Sequence, residues 1–409
     1  MTPPAGEASR TLVGLMSGTS ADGVDAVAVR LQRDTPAGAP RVEVLAHHHE
    51  PFAEPVRRRV LGAGGMRPVD LALLHVEMGR RFAEAAMAVM RAARLAPSDV
   101  AAVVTAGLTV VHLPPGQGSS AHADADPEAL ARGATLALGD GDFIAELCGV
   151  LTICDLRARD RAAGGQGAPL VPFADEVLLR DPLRLRAALN LGGIANITLV
   201  PPRGDVTAFD TGPGNMLVDG YVARATLGRQ AFDRDGALAR AGRVDRAWLA
   251  RALAADSFLD QPPPRSTGRE RYGEVFLEAH ADALGAMTAQ DAAATLTAYT
   301  VESVARAVRE HLPEAPSQLI VSGGGALNPA MMEALAEALA PIEVTDSQAA
   351  LGIPVLAKEA VAMAIIGDAS LSGRPGNVPA VTGASRPAVL GKLCLPPVVR
   401  GAPEVSGPG

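Results

Sequence analysis

The sequence contains one pattern twice: an apolar strand, a short polar or glycine-rich turn, and a second apolar strand. Residues 12–29 show it first, and residues 188–200 show it again. Each copy is followed later by a strand that runs into a glycine turn, at residues 103–109 and 319–335. A pattern that returns after far more than about 50 residues is not a solenoid repeat. We therefore expect a diverged internal duplication that gives two α/β lobes of related topology, with a cleft between them.

Length and composition are consistent with two lobes. The chain has 409 residues, which is more than one compact core usually holds. We expect a first lobe over residues 1–185, a second over 186–353, and a C-terminal segment over 354–409 whose helix returns towards the first lobe. The net charge of −8 and the aromatic content of 3% argue against a nucleic-acid partner.

Targeting patterns are missing from the sequence. The first ten residues lack the basic, apolar and small-residue order of a signal peptide, and no apolar run approaches the roughly 18 residues of a membrane span. The three cysteines, Cys148, Cys154 and Cys394, have no metal-like spacing, which favours buried thiols in a reducing compartment. We expect a cytoplasmic protein without a membrane partner.

Local patterns predict several further elements. Residues 41–49 form a predicted strand that ends in three histidines, and neighbouring side chains on a strand face opposite sides, so we do not expect them to share one metal ion. Residues 114–133 are rich in Gly, Ser, Asp and Pro and predict a surface loop. We also expect a helix over 174–189 and disorder over 401–409.

The turn of the first strand pair has the chemistry of a phosphate site. Residues 17–20 offer consecutive backbone N–H groups with little side chain over Gly18, together with hydroxyl groups. Asp22 and Asp25 follow at once, and carboxylate oxygen is what a hydrated Mg²⁺ ion prefers. The alternative for this stretch alone is an ordinary β-hairpin.

Two more glycine turns, at residues 210–215 and 322–326, occupy matching places in the second half. Three such turns are suited to hold the terminal phosphates, the inner phosphates and the nucleoside of ATP. The sequence has no G-x-x-x-x-G-K-[ST] motif, and no G-x-G-x-x-G opens a helix directly after a strand. We therefore expect ATP binding without a P-loop and without a dinucleotide site.

A base for the acceptor group is predicted between residues 155 and 169. Asp160 lies four residues before the glycine-rich loop 164–167, in which Gln166 can donate and accept hydrogen bonds with sugar hydroxyls. The alternative for Asp160 is a solvated carboxylate beside Arg159 and Arg161.

With these motifs in order, the chain resembles the anhydro-N-acetylmuramic acid kinases, which belong to the superfamily of sugar kinases, actin and heat-shock ATPases. The segments that carry the resemblance span nearly the whole length: 14–25, the D-x-R-x-x-D motif 155–160, AAGGQGAPLVP (162–172), NLGGIANIT (190–198), FDTGPGNML (209–217), STGRE (266–270), TLT (295–297), SGGGALNP (322–329), 352–360 and PGNVPAVTGA (375–384).

The resemblance implies two ribonuclease-H-like lobes with an interlobe cleft for ATP and sugar. It also implies that ATP, water and the 1,6-anhydro sugar give a 6-phosphosugar and ADP in peptidoglycan recycling. Asp160 would be the base that takes a proton from the attacking water. The nucleotide contacts carried over are Gly18, Thr19, Ser20, Ala21, Asp22, Gly23, Val24, Asp25, Asp210, Thr211, Gly212, Gly214, Gly323, Gly324 and Gly325.

The resemblance also suggests sugar contacts at Arg157, Gly165, Gln166 and Glu359, although for Glu359 a solvated or ion-paired carboxylate is an equal alternative. We expect Mg²⁺ at Asp22 and Asp210. A homodimer is the oligomeric state that the family suggests.

The chain departs from the family pattern at three positions. Ala106 and Leu108 stand in a turn that is usually His-Gly-Gln-Thr-Val, and Ala137 stands where a Gln usually precedes Gly-Asp. If these strand ends line the sugar pocket, its hydrogen bonding must differ, and a polar site that loses partners can lose specificity by orders of magnitude. The open alternatives are a kinase for another 1,6-anhydro sugar such as levoglucosan, and a nucleotide-binding sensor without turnover.

Overall fold

The structure is a computed structural model that describes residues 9–18, 21–33, 35, 38–115 and 126–398. Residue contacts divide the chain into two compact units. The first unit comprises residues 1–168, 363–376 and 387–409, and the second comprises residues 169–362 and 377–386. Within the described ranges, no helix has the length and apolar character needed to cross a bilayer.

Thirteen strands are described. They are β1 (Arg10–Met16), β2 (Gly23–Gln32), β3 (Arg41–Pro51), β4 (Ala102–Thr105), β5 (Leu108–Leu113), β6 (Ala134–Leu138), β7 (Thr152–Cys154), β8 (Arg186–Leu191), β9 (Ile194–Val200), β10 (Thr207–Pro213), β11 (Gln318–Ser322), β12 (Glu343–Asp346) and β13 (Lys392–Cys394).

Seventeen α-helices are described. They are α1 (Glu54–Leu61), α2 (Pro68–Ala92), α3 (Pro127–Arg132), α4 (Gly141–Cys148), α5 (Leu156–Ala162), α6 (Val171–Leu179), α7 (Met216–Ala225), α8 (Ala237–Ala241), α9 (Arg246–Ala255), α10 (Arg269–Tyr272), α11 (Glu274–Ala279), α12 (Ala281–Gly285), α13 (Ala289–Arg306), α14 (Pro329–Leu339), α15 (Ser347–Leu351), α16 (Lys358–Leu371) and α17 (Pro379–Thr382).

Each unit contains one main sheet, and five strands of each sheet follow the same order, with β13 added antiparallel to β7 at the edge of the first. The first is β13-β7-β4-β1-β2-β3, and the second is β10-β9-β8-β11-β12. In both, three strands in sequence pair antiparallel, and two later strands add in parallel on the other side of the first strand. This shared order is what a duplicated chain would produce; the duplication and the cleft between lobes stay predictions.

The core of the first unit forms where α2 covers the sheet. Its buried residues recur at helical spacing, among them Leu74, Met78, Phe82 and Val89. A Cβ on Gly79 would lie 2.8 Å from the carbonyl oxygen of Asp140, so this glycine lets the start of α4 approach α2 closely.

The second unit has two apolar layers around α13. Val301 and Val304 face a cluster that includes the sheet, whereas Leu296 and Tyr299 belong to a second cluster with Trp248 from α9. Thr288 caps this helix by accepting a hydrogen bond from the N–H of Asp291. The helix is therefore buried on most of its surface, which explains its many small residues.

The boundaries of these two units differ from the lobe boundaries expected from the sequence, which lie at residues 185/186 and 353/354. Residues 169–185 group with the second unit because α6 packs on β8 and β9. Within the first unit, the last part of α16 is fixed through Asp368, a fully buried carboxylate that accepts from Arg10, Arg33 and Arg374.

Two local predictions were wrong. The helix expected over 174–189 ends at Leu179, and the chain then turns into β8 at Arg186, because the apolar run that follows is a buried central strand. The surface loop expected over 114–133 includes the short helix α3, which Asp126 caps through the N–H of Glu128. Residues 116–125 and the predicted disordered segment 401–409 lie outside the described residues.

Candidate active site

The turn between β1 and β2 is held tightly at its base. Ser17 Oγ donates to the carbonyl oxygen of Gly23 at 2.6 Å, and the N–H of Ala21 donates to Gly18 at 3.1 Å. A Cβ on Gly23 would lie 2.4 Å from the carbonyl oxygen of Glu50 in β3, so only glycine fits there. Thr19 and Ser20 lie outside the described residues. Gly18, Ala21 and Asp22 thus lie in the short turn after β1, and Gly23 and Val24 are the first residues of β2.

Asp25 is held by two of the three histidines. Its Oδ1 lies 3.0 Å from Nε2 of His47 and 3.1 Å from Nδ1 of His49, whereas His48 contacts Glu50. The histidines thus alternate between the two faces of β3, as the strand geometry predicts. Among the described residues, no group of three or more His, Cys, Asp or Glu side chains is arranged to hold a metal ion.

Asp210 lies at a bulge in β10, in the second unit. The register with β9 shifts between Asp210 and Gly212. Burial raises the pKa of the Asp210 carboxyl to about 6, although hydrogen bonds from the N–H of Thr267 and the hydroxyl of Ser266 act against that rise. Both donors belong to the STGRE segment, which places that motif at the second glycine turn.

The backbone of Asp210 is fixed by Arg265. The guanidinium Nε donates to the carbonyl oxygen of Asp210 at 2.9 Å, and the N–H of Asp210 donates to the carbonyl of Arg265 at 3.2 Å. The guanidinium also lies 5.2 Å from the ring of Phe209 and 5.0 Å from the ring of Phe258. The sequence prediction missed Arg265; its only signal was its position directly before STGRE.

The glycine turns of the second unit contact one another. Gly214 donates to the carbonyl oxygen of Gly193 at 2.9 Å, and a Cβ on Gly214 would lie 2.2 Å from the carbonyl oxygen of Gly192. Gly212 adopts φ +142°, and the adjacent Thr211 bonds to the carbonyl of Ala195 at 3.2 Å. The turn after β10 therefore lies directly on the turn between β8 and β9.

The third glycine turn joins the same group. Gly323 has φ +84°, and a Cβ on it would lie 2.6 Å from Oδ1 of Asn190. A Cβ on Gly324 would lie 3.2 Å from Nδ2 of Asn215, and a Cβ on Gly325 would lie 2.9 Å from Oδ1 of the same side chain. The turns at 190–193, 210–215 and 323–325 are thus gathered around two asparagine side chains, which the sequence prediction did not single out.

In the first unit, helix α5 holds the 164–167 loop. Asp160 is 0% exposed, and its Oδ2 accepts a hydrogen bond from the N–H of Gly167 at 2.8 Å. Arg157 donates to the carbonyl oxygen of Gly167 at 2.9 Å, and Arg161 to that of Gln166 at 3.4 Å. Gly165 bonds through its N–H to the carbonyl of Asp160 at 3.0 Å. The alternative of a solvated Asp160 is therefore wrong, and its catalytic role stays a prediction.

Glu359 lies half-buried in the first turn of α16, in the second unit, where it has an electrostatic or hydrogen-bonding partner. Its neighbour Lys358 forms a buried ion pair with Asp175, with 2.6 Å between Nζ and Oδ1. This ion pair was not predicted, because nothing in the sequence links two residues so far apart.

Comparisons with known proteins agree with this arrangement of motifs. A family model described as AnmK, anhydro-N-acetylmuramic acid kinase, matches residues 10–396. The chain belongs to the anhydro-N-acetylmuramic acid kinase family. Curated relatives with that name include those of Gloeobacter violaceus, 42% identical over 93% of this chain and 97% of the relative, and of a Synechococcus species, 41% identical over 93% and 98%. The relative from Streptomyces coelicolor is 40% identical over 93% of each chain.

Within this kinase family, the three departures of the chain fall in different surroundings. Ala106 and Leu108 are 1% and 0% exposed, and Leu108 packs in the core of the first unit with Leu138. Ala137 instead lines a cavity of about 210 Å³ together with Thr135, Asp155, Arg157, Ala158 and Arg161. Of the three departures, that at residue 137 thus lies at a described cavity, whereas Ala106 and Leu108 are buried.

The charged residues that line the same cavity are Arg157, Arg161 and Asp155. Burial, together with the charges of Arg157 and Arg161, lowers the pKa of His112 in β5 to about 4. The ring Nδ1 of His112 lies 2.9 Å from Oγ1 of Thr135. Near neutral pH this histidine is therefore uncharged beside the two arginines.

Proposed function

We propose that the chain is an ATP-dependent kinase that hydrolytically opens the 1,6-anhydro ring of anhydro-N-acetylmuramic acid and phosphorylates O6. The product is N-acetylmuramic acid 6-phosphate, and the pathway served is peptidoglycan recycling. Membership of the kinase family over residues 10–396 supports the reaction class.

The observation that carries the proposal is the set of hydrogen bonds by which side chains of α5 hold the 164–167 loop. One carboxylate, Asp160, is fully buried and takes its orientation from the N–H of Gly167. A general base has to be held within hydrogen-bond reach of the proton that it removes, and a carboxylate fixed by a backbone N–H meets that need. The neighbouring Gln166 would bind sugar hydroxyls through its amide, and Arg157 would support the same loop.

The reaction then proceeds in balanced steps. Asp160 takes a proton from a water molecule whose oxygen forms a bond to C1 of the sugar. The bond between C1 and O6 breaks, and the electron pair stays on O6. O6 attacks the γ-phosphorus of ATP, the bond to the bridging oxygen breaks, and ADP leaves. The chain's contribution is to hold the water, the sugar and the γ-phosphate in line.

ATP would be held by the turn 18–25 and by the gathered turns of the second unit around Asp210 and 323–325. The backbone N–H groups of such turns suit phosphate oxygen, and their glycines allow a ligand to approach the backbone. Mg²⁺ binds with several of its own waters, one or two carboxylates and substrate phosphates, and Asp22 and Asp210 would each offer a carboxylate of that kind. When bound with ATP, the ion would neutralise charge on the transferred phosphoryl group.

Coupled ADP release is the direct test. Purified protein with ATP and Mg²⁺ is assayed with 1,6-anhydro-N-acetylmuramic acid, with levoglucosan and with no sugar. We expect turnover with the muramic sugar, which would mean that Ala137 is tolerated at the cavity. Turnover with levoglucosan alone would transfer the proposal to another anhydro sugar, and ATP binding without turnover on either would favour a sensor.

A cytoplasmic location belongs to the same proposal, because the phosphoryl donor is ATP. We also propose a homodimer, on the strength of the family resemblance alone, and light scattering after size-exclusion chromatography tests it.

A further inference from the structure

Two of the three cysteines lie side by side at the edge of the first unit's sheet. The Sγ atoms of Cys154 and Cys394 are 3.6 Å apart. Strand β13 pairs antiparallel with β7, with Lys392 opposite Cys154 and Cys394 opposite Thr152, so the two cysteines are diagonal neighbours. A disulfide needs a sulfur–sulfur distance of about 2.05 Å, so the thiols are already in contact and about 1.5 Å from a bond.

The space around this pair is shaped by a glycine. A Cβ on Gly141, the first residue of α4, would lie 2.6 Å from Sγ of Cys154 and 2.7 Å from Sγ of Cys394. The helix start therefore presses both sulfurs into one small volume. The strand that carries Cys394 is three residues long and lies at the edge of the sheet, with Leu393 and Leu395 exposed, so it can shift towards β7.

The third cysteine lies in different surroundings. Cys148 is 4% exposed, belongs to the apolar core, and contacts the carbonyl oxygen of Ala83 at 3.7 Å. Cys154 and Cys394 are only half-buried, so a small reagent can reach them. The chain thus contains an accessible thiol pair, Cys154 and Cys394, and a buried thiol, Cys148, that serves as an internal control for oxidation.

We propose that Cys154 and Cys394 are a reversible oxidation site that forms an intramolecular disulfide with a small-molecule disulfide as the oxidant. One protein thiolate attacks the reagent, its S–S bond breaks, and a thiol is released together with a mixed disulfide. The second protein thiolate attacks the sulfur of the first cysteine and releases the other thiol. The two cysteines lose two electrons and two protons in total, and the reagent is reduced to two thiols.

The new bond would join β13 to β7 immediately before Asp155, the residue that opens the D-x-R-x-x-D motif. The carboxylate of Asp155 already contacts Nζ of Lys392 on β13 at 2.5 Å. The disulfide would add a covalent link beside that ion pair. This inference does not depend on the proposed function.

The charges around the pair set the rate of oxidation. Burial raises the pKa of both thiols, with added contributions from Asp155 and Asp140 at Cys154 and from Asp142 at Cys394, while Lys392 acts in the opposite direction at Cys154. Both thiols are therefore mostly protonated at pH 7. Because the thiolate is the nucleophile, oxidation should accelerate about tenfold per pH unit between pH 7 and pH 9.

The test uses the full chain equilibrated in buffers of reduced and oxidised glutathione at pH 8, quenched with acid and mapped by peptide mass spectrometry. We expect a loss of about 2 Da, a Cys154–Cys394 peptide cross-link, and one thiol, Cys148, that still reacts with maleimide after unfolding. A stable glutathione adduct as the end product, or three free thiols in pure oxidised glutathione, would overturn the proposal.

Serine variants locate the bond. Cys148→Ser should still lose about 2 Da, whereas Cys154→Ser and Cys394→Ser should stop at a glutathione adduct or remain reduced. The oxidised wild type should unfold several degrees higher than the reduced form, and dithiothreitol should reverse this shift. A cross-link that involves Cys148, or one between two chains, would contradict the assignment.

Discussion

The two units share a strand order but hold their predicted ligand loops in different ways. In the first unit, charged side chains of α5 grip the 164–167 loop, with Asp160 and Arg157 both bound to the backbone of Gly167. In the second unit, the glycine turns touch one another through their backbones, and the amides of Asn190 and Asn215 lie between them.

This difference shows that one sheet topology can support two kinds of loop arrangement. A charged side chain can be replaced by a neutral one of the same shape without moving the backbone. A glycine in backbone contact accepts no Cβ at all. We therefore expect the first unit to lose chemistry while it stays folded, and the second unit to lose binding and stability together.

Asp160→Asn should have the largest effect. The amide oxygen can still accept the hydrogen bond from Gly167, but the side chain no longer takes a proton, so kcat should fall about 10²- to 10⁴-fold. The affinity for ATP and the melting temperature should stay close to those of the wild type. ADP release and calorimetric titration with ATP measure these quantities.

The matched control is Arg159→Gln, an exposed position on the same helix. It should leave kcat within about twofold, because surface substitutions usually have small effects. Near-normal turnover in Asp160→Asn would place the base elsewhere, and unfolding of that variant would remove the contrast between the units.

Gly214→Ala tests the second unit. The new Cβ would lie 2.2 Å from the carbonyl oxygen of Gly192, and both partners are backbone, so the turns must separate. Overpacking of this kind costs about 1–3 kcal/mol. We expect the Kd for ATP to rise at least about tenfold, at about 1.4 kcal/mol per factor of ten, and the melting temperature to fall.

Gly285→Ala is the control for this substitution, because a Cβ there would meet no heavy atom within 4 Å and its φ is not in the left-handed region. It should leave ATP binding unchanged and stability equal or slightly higher. If both alanine variants bind ATP like the wild type, the gathered turns are not the nucleotide site.

Much of this fold could be predicted from local pattern. The strand–turn–strand units became β1 and β2 in one half and β8 and β9 in the other, because buried strands require apolar runs that the sequence shows directly. The prediction of a helix over 174–189 was wrong for the same reason, since a buried strand and a buried helix are both apolar. Only the pairing of β8 with β11 distinguishes the two here.

The candidate site could be predicted only in part. Glycine turns and D-x-R-x-x-D are local signals, so their residues could be named in advance. The contact of Asn190 with Gly323 and the hold of Arg265 on Asp210 join segments far apart in sequence, and spacing alone cannot reveal them. The burial of Asp160 likewise follows from packing that no neighbour in sequence specifies.

Tyr299→Phe tests whether the carboxylate of Asp256 in the second unit contributes to stability alone. The hydroxyls of Tyr272 and Tyr299 donate to Oδ2 of Asp256 at 2.6 and 2.7 Å. Burial alone would raise the pKa of Asp256, but these bonds and Arg271 hold it below its usual value. Removing one hydrogen bond to a charged group should cost about 1.5–3 kcal/mol, as measured by urea unfolding.

Tyr221→Phe is the natural comparison, because Tyr221 is the remaining one of the three tyrosines in the chain and is half-buried on α7. It should cost less than about 1 kcal/mol. A Tyr299→Phe variant that loses ATP affinity in proportion to stability would show that this anchor also shapes the gathered turns, and the two roles would no longer be separable.

Asp219→Asn comes last, because its effect is seen only when the free energy of unfolding is compared at different pH values. Burial, with the charge of Asp233 added, raises the pKa of Asp219 in α7 to about 7. Between pH 4 and pH 7 the folded chain therefore holds a proton that the unfolded chain releases, so stability falls as pH rises through this window.

The variant cannot ionise, so its stability should depend less on pH, and at pH 8 it should be more stable than the wild type. Denaturant unfolding at pH 5.5 and pH 8 measures the difference, and exposed Asp282→Asn on α12 supplies the control. Equal pH slopes in the wild type and Asp219→Asn would mean that the carboxylate beside the glycine turns is solvated. The second unit would then tolerate charge near its turns as readily as the first, and the contrast would rest on the glycines alone.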